Sequence, residues 1–293
     1  MKIVVCIPAY NEEKTLPEVL SSIKKMVDAS SDSYSFLVVD DGSSDKTASV
    51  ARDLGATVVS HPSNYGLAET FRTEMKEVLK LNPDIILHID ADGQYLAKDI
   101  AAVVAPVKAG KADLVLGSRF AGHIESMPWL KRFGNKAFSR VISSIVRQKI
   151  SDGQTGFRAF IPAVAKISIL SDFTYTQEQI IRSAREHFRI SEVPVHFARR
   201  DGQSRLMKNA FHYAVHAWVG ILRIQRDYLP LKFFGAVGGF FVALGLALGA
   251  LILYSWITVD AVGGIPRVIL SALFIMTGIQ IVLFGFLADM RKK

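Results

Sequence analysis

Cysteine is almost absent from this 293-residue chain. The lone Cys6 excludes an intramolecular disulfide, and its place in the apolar run KIVVCI marks it as a small buried hydrophobe. A cleavable leader is not expected either: a single lysine precedes residues 3–7 and no cleavage pattern follows, so a strand is expected there. No internal repeat is visible. HExxH is absent, and His212 and His216, four residues apart, have no obvious third ligand for zinc. Acidic residues are fewer than basic ones, 27 against 35, and the formal net charge of +8 points to nucleic acid, anionic lipid or phosphorylated substrates.

Charge itself is nearly missing from residues 231–259 and 268–288. Both stretches exceed the roughly 20 apolar residues that cross a hydrocarbon core, so two transmembrane helices are expected. Neither carries a charge in its interior, which argues against a transport pathway. Residues 260–267, DAVGGIPR, suffice only for a hairpin, so both outer ends fall on one side. Lys232, Arg291, Lys292 and Lys293 flank those ends while the hairpin loop offers one Asp and one Arg, and the large N-terminal domain is therefore expected to be cytoplasmic. A bilayer neighbour favours membrane lipids and phosphorylated substrates. Carboxylates accompany the basic residues at every strand end, which disfavours nucleic acid. In the first span Gly235, Gly239, Gly245 and Gly249 make two small-x-x-x-small pairs, expected to pack on Gly278 and Gly285 of the second; a homo-oligomer could use the same face.

What the chain does have is alternation. Up to about residue 206, apolar runs alternate with helical patterns: KIVVCI, a helix over 15–29, FLVVD, a helix from Asp45, TVVS, a helix from Gly66, DIILHID, a helix over 97–109, and DLVLGS. This is the α/β order, and a mostly parallel sheet with helices on both faces is the expected fold. Three segments result: an α/β domain over 1–206, an amphipathic juxtamembrane helix over 207–230, and a two-span hairpin with a basic tail over 231–293. The middle segment mixes apolar and basic residues on a helical period with Trp218 and Tyr228, as in a helix lying along a membrane surface.

Polar residues gather where strands end. In residues 84–94, DIILHIDADGQ, a β-branched run suited to a strand buried on both faces leads into Asp90, Asp92 and Gln94. Ligands bind at the carboxyl ends of such strands, and these hard oxygen donors suit Mg²⁺ or Mn²⁺ better than zinc. The first strand ends in PAYNE and the second in DDGSSD. Side by side, those turns would put a carboxylate where it can accept an N–H from a base or a ribose hydroxyl, with Asp41 the better candidate and Asp45 a helix cap. His88, inside the strand, is expected to be a packing group.

With PAYNE, VVDDGSSD and DADGQ in order at successive strand ends, the chain resembles the family-2 glycosyltransferases of the GT-A fold. The resemblance implies nucleotide-sugar binding by Pro8, Ala9, Tyr10, Glu12, Val39, Asp41, Asp90, Ala91 and Asp92. It also implies a divalent cation, Mg²⁺ or Mn²⁺, at Asp90 and Asp92, where it would neutralise charge on the departing diphosphate. Gln94 is the third ligand to test, and Asp92 is expected to be catalytic.

GSR at 117–119, the basic segment KRFGNKAFSR at 131–140 and D-x-x-x-GFR at 152–158 look like the branch that includes dolichyl-phosphate mannose and glucose synthases and bacterial polyprenyl-phosphate glucosyltransferases. That resemblance implies a polyprenyl phosphate acceptor held by Arg119 and Arg132, a bidentate task to which a guanidinium is suited. FARRDGQSRL resembles the R-x-x-G-x-S-K loop of the branch, with Arg199 at the matching distance, Arg205 in place of Lys and Arg200 a near miss; such a loop could close over the diphosphate. Glu178 matches an acidic position that serves hydroxyl-glycosylating relatives as general base. A phosphate acceptor is already ionised near neutral pH, so Glu178, like Asp152, is expected to position other groups. Gln179 and Arg182 have the spacing of the Q-x-x-R-W element, but Ser183 replaces the Trp, which weakens a chain-elongating reading.

The expectation is thus an inverting transfer of one sugar from a nucleoside diphosphate to polyprenyl phosphate. DADGQ and GSRF lean, by resemblance, to UDP-glucose or UDP-N-acetylglucosamine, with GDP-mannose still open. The rival expectations are a family-2 enzyme acting on a sugar hydroxyl and a non-catalytic membrane module that binds nucleotide or anionic lipid.

Overall fold

The computed structural model describes residues 1–28, 30–170, 175–199, 210–259 and 264–290, leaving aside the side chains of 210–217 and 259. Contacts divide the chain into two units, Met1–Ala217 and Trp218–Lys293.

In the first unit the strand-forming runs become one seven-stranded sheet. Its strands are β1 (Lys2–Ala9), β2 (Ser33–Asp40), β3 (Thr57–Ser60), β4 (Ile85–His88), β5 (Leu114–Ile124), β6 (Arg158–Phe160) and β7 (Ile190–Phe197), in the order β3-β2-β1-β4-β6-β5-β7. β1 lies parallel between β2 and β4, β3 is parallel to β2, and β5 is parallel to β7. Only β6 runs antiparallel, against both β4 and β5. The sequence pattern does not announce β6 or β7. β6 is three residues long and starts with an arginine, and β7 interrupts its apolar residues with Glu192 and Pro194, which an edge strand tolerates because no neighbour needs that N–H.

Helices cover both faces, as expected. α1 (Leu16–Val27) has Pro17 in its first turn, Glu18 near its N-terminus and Lys24 and Lys25 in its last turn, each matched to the helix dipole. Its buried Leu16, Leu20 and Ile23 join Ile3, Val5, Ile7, Leu87 and residues of α4 (Ile100–Lys108) in one core. The short α2 (Thr47–Asp53) packs beside β3. α3 (Leu67–Lys80) packs on β1 and β2 through buried Phe71, Met75 and Val78. α5 (Trp129–Val146), α6 (Pro162–Ala165) and α7 (Tyr175–Arg185) complete this unit's helices before α8 (Ala210–Tyr228). Burying each of Ile85, Ile86 and Leu87 contributes about 1.5–3 kcal/mol, which makes β4 a rigid base for whatever follows it.

In the second unit α9 (Pro230–Val259) and α10 (Ile265–Met290) are long and apolar enough to cross a membrane. Gly245, Gly249, Gly278 and Gly285 lie at their close approach as expected, but Gly238 takes the place expected of Gly235 and Gly239. A Cβ on Gly238 would stand 2.5 Å from the Gly278 carbonyl oxygen and one on Gly245 2.8 Å from that of Ser271, whereas Gly235 and Gly239 face open space. Ser271 Oγ donates to the Gly245 carbonyl at 2.8 Å, a bond that gives a polar side chain its partner inside an apolar hairpin.

Candidate active site

The β1–α1 and β2–α2 turns interlock at the carboxyl edge of the sheet. Asn11, held at φ 55°, donates its backbone N–H to Ser43 Oγ at 2.8 Å, and its side-chain oxygen accepts the Ser44 N–H at 2.8 Å. Glu12 N–H donates to Thr47 Oγ1 at 2.8 Å. Asp45 accepts the Thr47 N–H at 2.9 Å and the Glu13 N–H at 3.3 Å, one residue before Lys46, which takes the N-cap position of α2 itself. Pro8, Ala9 and Val39, expected at the nucleotide, are buried in the strands. Tyr10 is exposed and Glu12 half-buried at the rim.

Asp41, expected at the base, is buried and already engaged. Its oxygens accept the backbone N–H groups of Tyr65 and Gly66, each at 2.9 Å, and Oδ1 lies 2.8 Å from His61 Nδ1. His61 in turn reaches Thr73 Oγ1 at 2.9 Å and stacks on Tyr65. Three of the carboxylate's roughly four acceptor positions are therefore spent on anchoring the β3–α3 loop.

Asp90 is the opposite case. Half-buried at the end of β4, it accepts no hydrogen bond from any described residue. Burial pushes its carboxyl above the usual carboxylate range, offset in part by His88 and Arg119. Its floor is Gly156, where a Cβ would stand 2.5 Å from Oδ2. Asp92 follows in a tight turn, accepting the Gln94 N–H at 3.1 Å, with Gly93 at φ 74°. Gln94 is tied to the end of β7, its amide donating to the Ala198 carbonyl at 3.2 Å and its backbone carbonyl accepting the Ala198 N–H at 2.8 Å.

No cluster of three or more His, Cys, Asp or Glu among the described residues would hold a metal unaided. Two neighbouring carboxylates, one without any donor, nevertheless fit Mg²⁺ or Mn²⁺, which take one or two protein carboxylates and fill the remaining positions with substrate phosphate and water.

Beneath Asp90, His88, expected to be a packing group, forms a buried pair with Glu74. His88 Nδ1 donates to the Gly156 carbonyl at 2.7 Å, and Nε2 lies 3.0 Å from Glu74 Oε2 at an angle outside hydrogen-bonding geometry. Burial, the largest single effect, lowers the His88 pKa, but Glu74, Asp90 and the Gly156 carbonyl together outweigh it and the net direction is upward. The sequence does carry a signal here: Glu74 sits on the apolar face of α3 between Phe71 and Val78, where a carboxylate needs a partner.

Arg119, at the outer half of β5, is 5% exposed and clamped by Asp152, with Nε at 2.6 Å and Nη2 at 2.8 Å from the two carboxylate oxygens. Asp152 also accepts the Arg119 backbone N–H at 3.0 Å. The guanidinium packs 5.1 Å from the Phe197 ring centroid, and its Nη1 has no hydrogen-bond partner among the described residues. Arg158 is buried without a carboxylate: it donates to the carbonyls of Thr155, Thr176 and Gly153 and to Gln179 Oε1, and burial pulls its pKa down to about 10. These bonds pin the 153–157 turn that floors Asp90.

Glu178 is buried, accepting the Leu170 N–H at 3.0 Å and Arg182 Nε at 2.6 Å. Arg132 is exposed on α5 and pairs with no described carboxylate. Arg199 is exposed, its backbone N–H held by Glu125 at 2.9 Å. Arg200, Gly202 and Arg205, and the side chains of His212 and His216, lie outside the described residues. The structure therefore brings Asp90, Asp92, Arg119 and Asp152 to one edge, and sets Arg132 apart on a helix face.

The chain's relatives bear on this arrangement. The family model described as Glycosyl transferase family 2 matches residues 4–168. A dolichyl-phosphate hexose transferase of Haloferax volcanii is 31% identical over 69% of this chain and 85% of its own length. A UDP-N-acetylglucosamine–dolichyl-phosphate N-acetylglucosaminyltransferase of Methanococcus voltae is 28% identical over 66% and 84%. Among solved structures, glucosyl-3-phosphoglycerate synthase of Mycobacterium tuberculosis, in complex with Mn²⁺, UDP-glucose and phosphoglyceric acid, aligns with a TM-score of 0.59 at 19% identity, covering 76% of this chain and 78% of that one. The sheet is the GT-A arrangement, and with more than half of its length matched the chain is a glycosyltransferase that belongs to glycosyl transferase family 2.

Proposed function

We propose that the protein transfers one sugar from a nucleoside diphosphate sugar to a polyprenyl phosphate, with inversion, at the cytoplasmic face of a membrane. The observation that carries this reading is the pairing of an unengaged carboxylate, Asp90, with a clamped guanidinium, Arg119, that keeps Nη1 open. In the reading, Asp90 and Asp92 would hold Mg²⁺ or Mn²⁺, with Gln94 a further candidate ligand, and such an ion would supply positive charge to offset that on the departing diphosphate. Tyr10 and the β1 and β2 turns receive the base, and Asp41 acts on it indirectly, by fixing the loop that carries Tyr65. An acceptor phosphate oxygen bonds to the anomeric carbon as the bond from that carbon to the diphosphate oxygen breaks on the opposite face. Arg119 orients the acceptor phosphate and Asp152 holds Arg119 in place, while Arg132, Arg199 and Arg205 supply further cations.

Glu178 favours a phosphate over a hydroxyl as acceptor. A general base needs a carboxylate within reach of the proton it removes, whereas Glu178 is committed to Leu170 and Arg182. A phosphate monoester, with a second pKa near 6, needs no such base. Relatives named for dolichyl phosphate and for UDP-N-acetylglucosamine support the same choice, and UDP-glucose or UDP-N-acetylglucosamine is favoured over GDP-mannose.

The test is a screen of UDP- and GDP-sugars against dolichyl and undecaprenyl phosphate, with Mg²⁺ or Mn²⁺, reading labelled lipid. A single sugar on the lipid phosphate, lost when metal is chelated, is the expected result. Transfer only to a lipid-linked glycan, or full activity under chelation, would overturn it.

A further inference from the structure

Apart from Arg132, the exposed face of α5 has a composition that the sugar-transfer reading does not use. Trp129 is 79% exposed and Phe133 67%. Arg132, Lys136 and Arg140 are exposed with them, as is Arg147, the left-handed cap just beyond the helix, and α5 has no acidic residue anywhere along WLKRFGNKAFSRVISSIV. At 3.6 residues per turn the five helical positions share roughly a third of the helix circumference. The opposite face, with Gly134, Phe138 and Ile142, is buried in the domain. Two large aromatics standing in water beside four unopposed cations is costly for a surface that faces only solvent. It is the composition of a helix that sets its aromatic rings at the level of lipid headgroups and its cations against anionic lipid.

We infer that this face of α5 is a membrane-docking surface, through which the catalytic unit itself contacts the anionic headgroups of a bilayer, in addition to any anchoring by α9 and α10. Charge selects the occupant. Lys136 also spans the distance to the site: its ammonium lies 5.8 Å from the Phe120 ring centroid, and Phe120 packs beside the Arg119 guanidinium at 6.0 Å. Docking α5 would therefore bring headgroup-level phosphate to the side of the domain that carries Arg119. The inference rests on the membrane reading of the two long helices and not on the identity of donor or acceptor.

The experiment uses the full chain in lipid nanodiscs, in a Trp218→Phe, Trp256→Phe background that leaves Trp129 as the one tryptophan. Lipids brominated near the headgroup should quench Trp129, more strongly with phosphatidylglycerol present than in phosphatidylcholine alone. Lys136→Glu with Arg140→Glu should remove that difference, lowering the docked fraction roughly fivefold per cation. A water-exposed, unquenched Trp129 overturns the inference. So does a Trp129 that is shielded but unquenched and crosslinks at that face to a second copy. Quenching in a protein that fails to glycosylate polyprenyl phosphate would sink the acceptor assignment and leave the docking face standing.

Discussion

Gly156 lies directly under Asp90, where a Cβ would come 2.5 Å from Oδ2 and 2.7 Å from Oδ1 of the carboxylate. Gly156 is not among the residues with positive φ, so the backbone itself would accept an alanine. The cost of Gly156→Ala should therefore fall on the carboxylate. Overpacking is expected to cost about 1–3 kcal/mol of stability, while transfer should fall roughly 10- to 100-fold with a higher Mn²⁺ concentration needed for half-activity. Metal titrations of the rate, beside circular dichroism of the folded variant, would check this; an unchanged metal requirement would show that Asp90 is not a ligand.

The Arg119–Asp152 pair is buried on both sides, at 6% and 0% side-chain exposure. Removing one partner should leave an uncompensated charge and cost about 3–5 kcal/mol. Arg119→Ala and Asp152→Ala should each be severe, and the double variant far less than their sum. A thermal double-mutant cycle reads the coupling; additivity would mean that Asp152 does not hold Arg119. Kinetically, Arg119→Lys should chiefly raise the KM for the lipid acceptor, because a lysine cannot keep the bidentate clamp and still offer a free donor.

The parallel part of the sheet was legible because its strands are apolar on both faces and end in turns with distinctive polar residues. β4 is the clearest case: Ile85, Ile86 and Leu87 are buried on both faces, and the chain turns polar at Asp90. β6 was not legible, since Arg158 opens it and its stability comes from carbonyls scattered over 153–176 that no local pattern reveals. The site divides in the same way. The D-x-D spacing announces Asp90 and Asp92, but whether a carboxylate is open or spent depends on tertiary donors, and Asp41 meets its donors 20 to 25 residues further along. Gly238 was passed over for Gly235 because a small-x-x-x-small count ignores which face of the helix meets its neighbour.

At the far end of β5 and β7 from Arg119, Asp113 accepts Arg189 Nε at 3.0 Å, Nη2 at 2.7 Å and the Arg189 backbone N–H at 2.8 Å. The Arg189 side-chain bond, against a small burial effect, holds the Asp113 pKa below its usual value. A depressed carboxylate pKa stabilises the fold above the unfolded value, near 4, and that stabilisation is lost as pH falls through the folded one. Arg189 is 58% exposed, so solvent screening limits the pair to less than about 1 kcal/mol. The melting temperature of Asp113→Asn should lie slightly below wild type by a constant gap from neutral pH to about pH 4 and converge below it. A gap that widened on acidification would contradict the assignment.

Glu178→Gln separates two mechanisms. As a general base, Glu178 would contribute roughly 10²- to 10⁴-fold to the rate. As the acceptor of the Leu170 N–H and Arg182 bonds, it should tolerate an amide, whose carbonyl oxygen still takes one of them. Transfer to polyprenyl phosphate is therefore expected to fall less than about tenfold, with the acid limb of its pH profile unmoved. Loss of that limb would restore the hydroxyl-acceptor reading.

The α9–α10 hairpin offers a comparison within one helix. Gly238 meets the Gly278 carbonyl and Val282, so a leucine there must push α10 away; Gly235, one turn earlier, meets nothing. Helix association in lipid depends on this close packing, because apolar surface gains nothing from leaving a solvent as apolar as itself. Gly238→Leu should therefore weaken the hairpin and lower its thermal stability in detergent, whereas Gly235→Leu should leave the hairpin intact. Ser271→Ala should lie between the two, removing one bond to the Gly245 carbonyl at a cost of about 0.6 kcal/mol. Thermal unfolding of the full chain in detergent would score all three variants. Equal loss of stability in Gly238→Leu and Gly235→Leu would mean that the glycine face does not set the helix spacing.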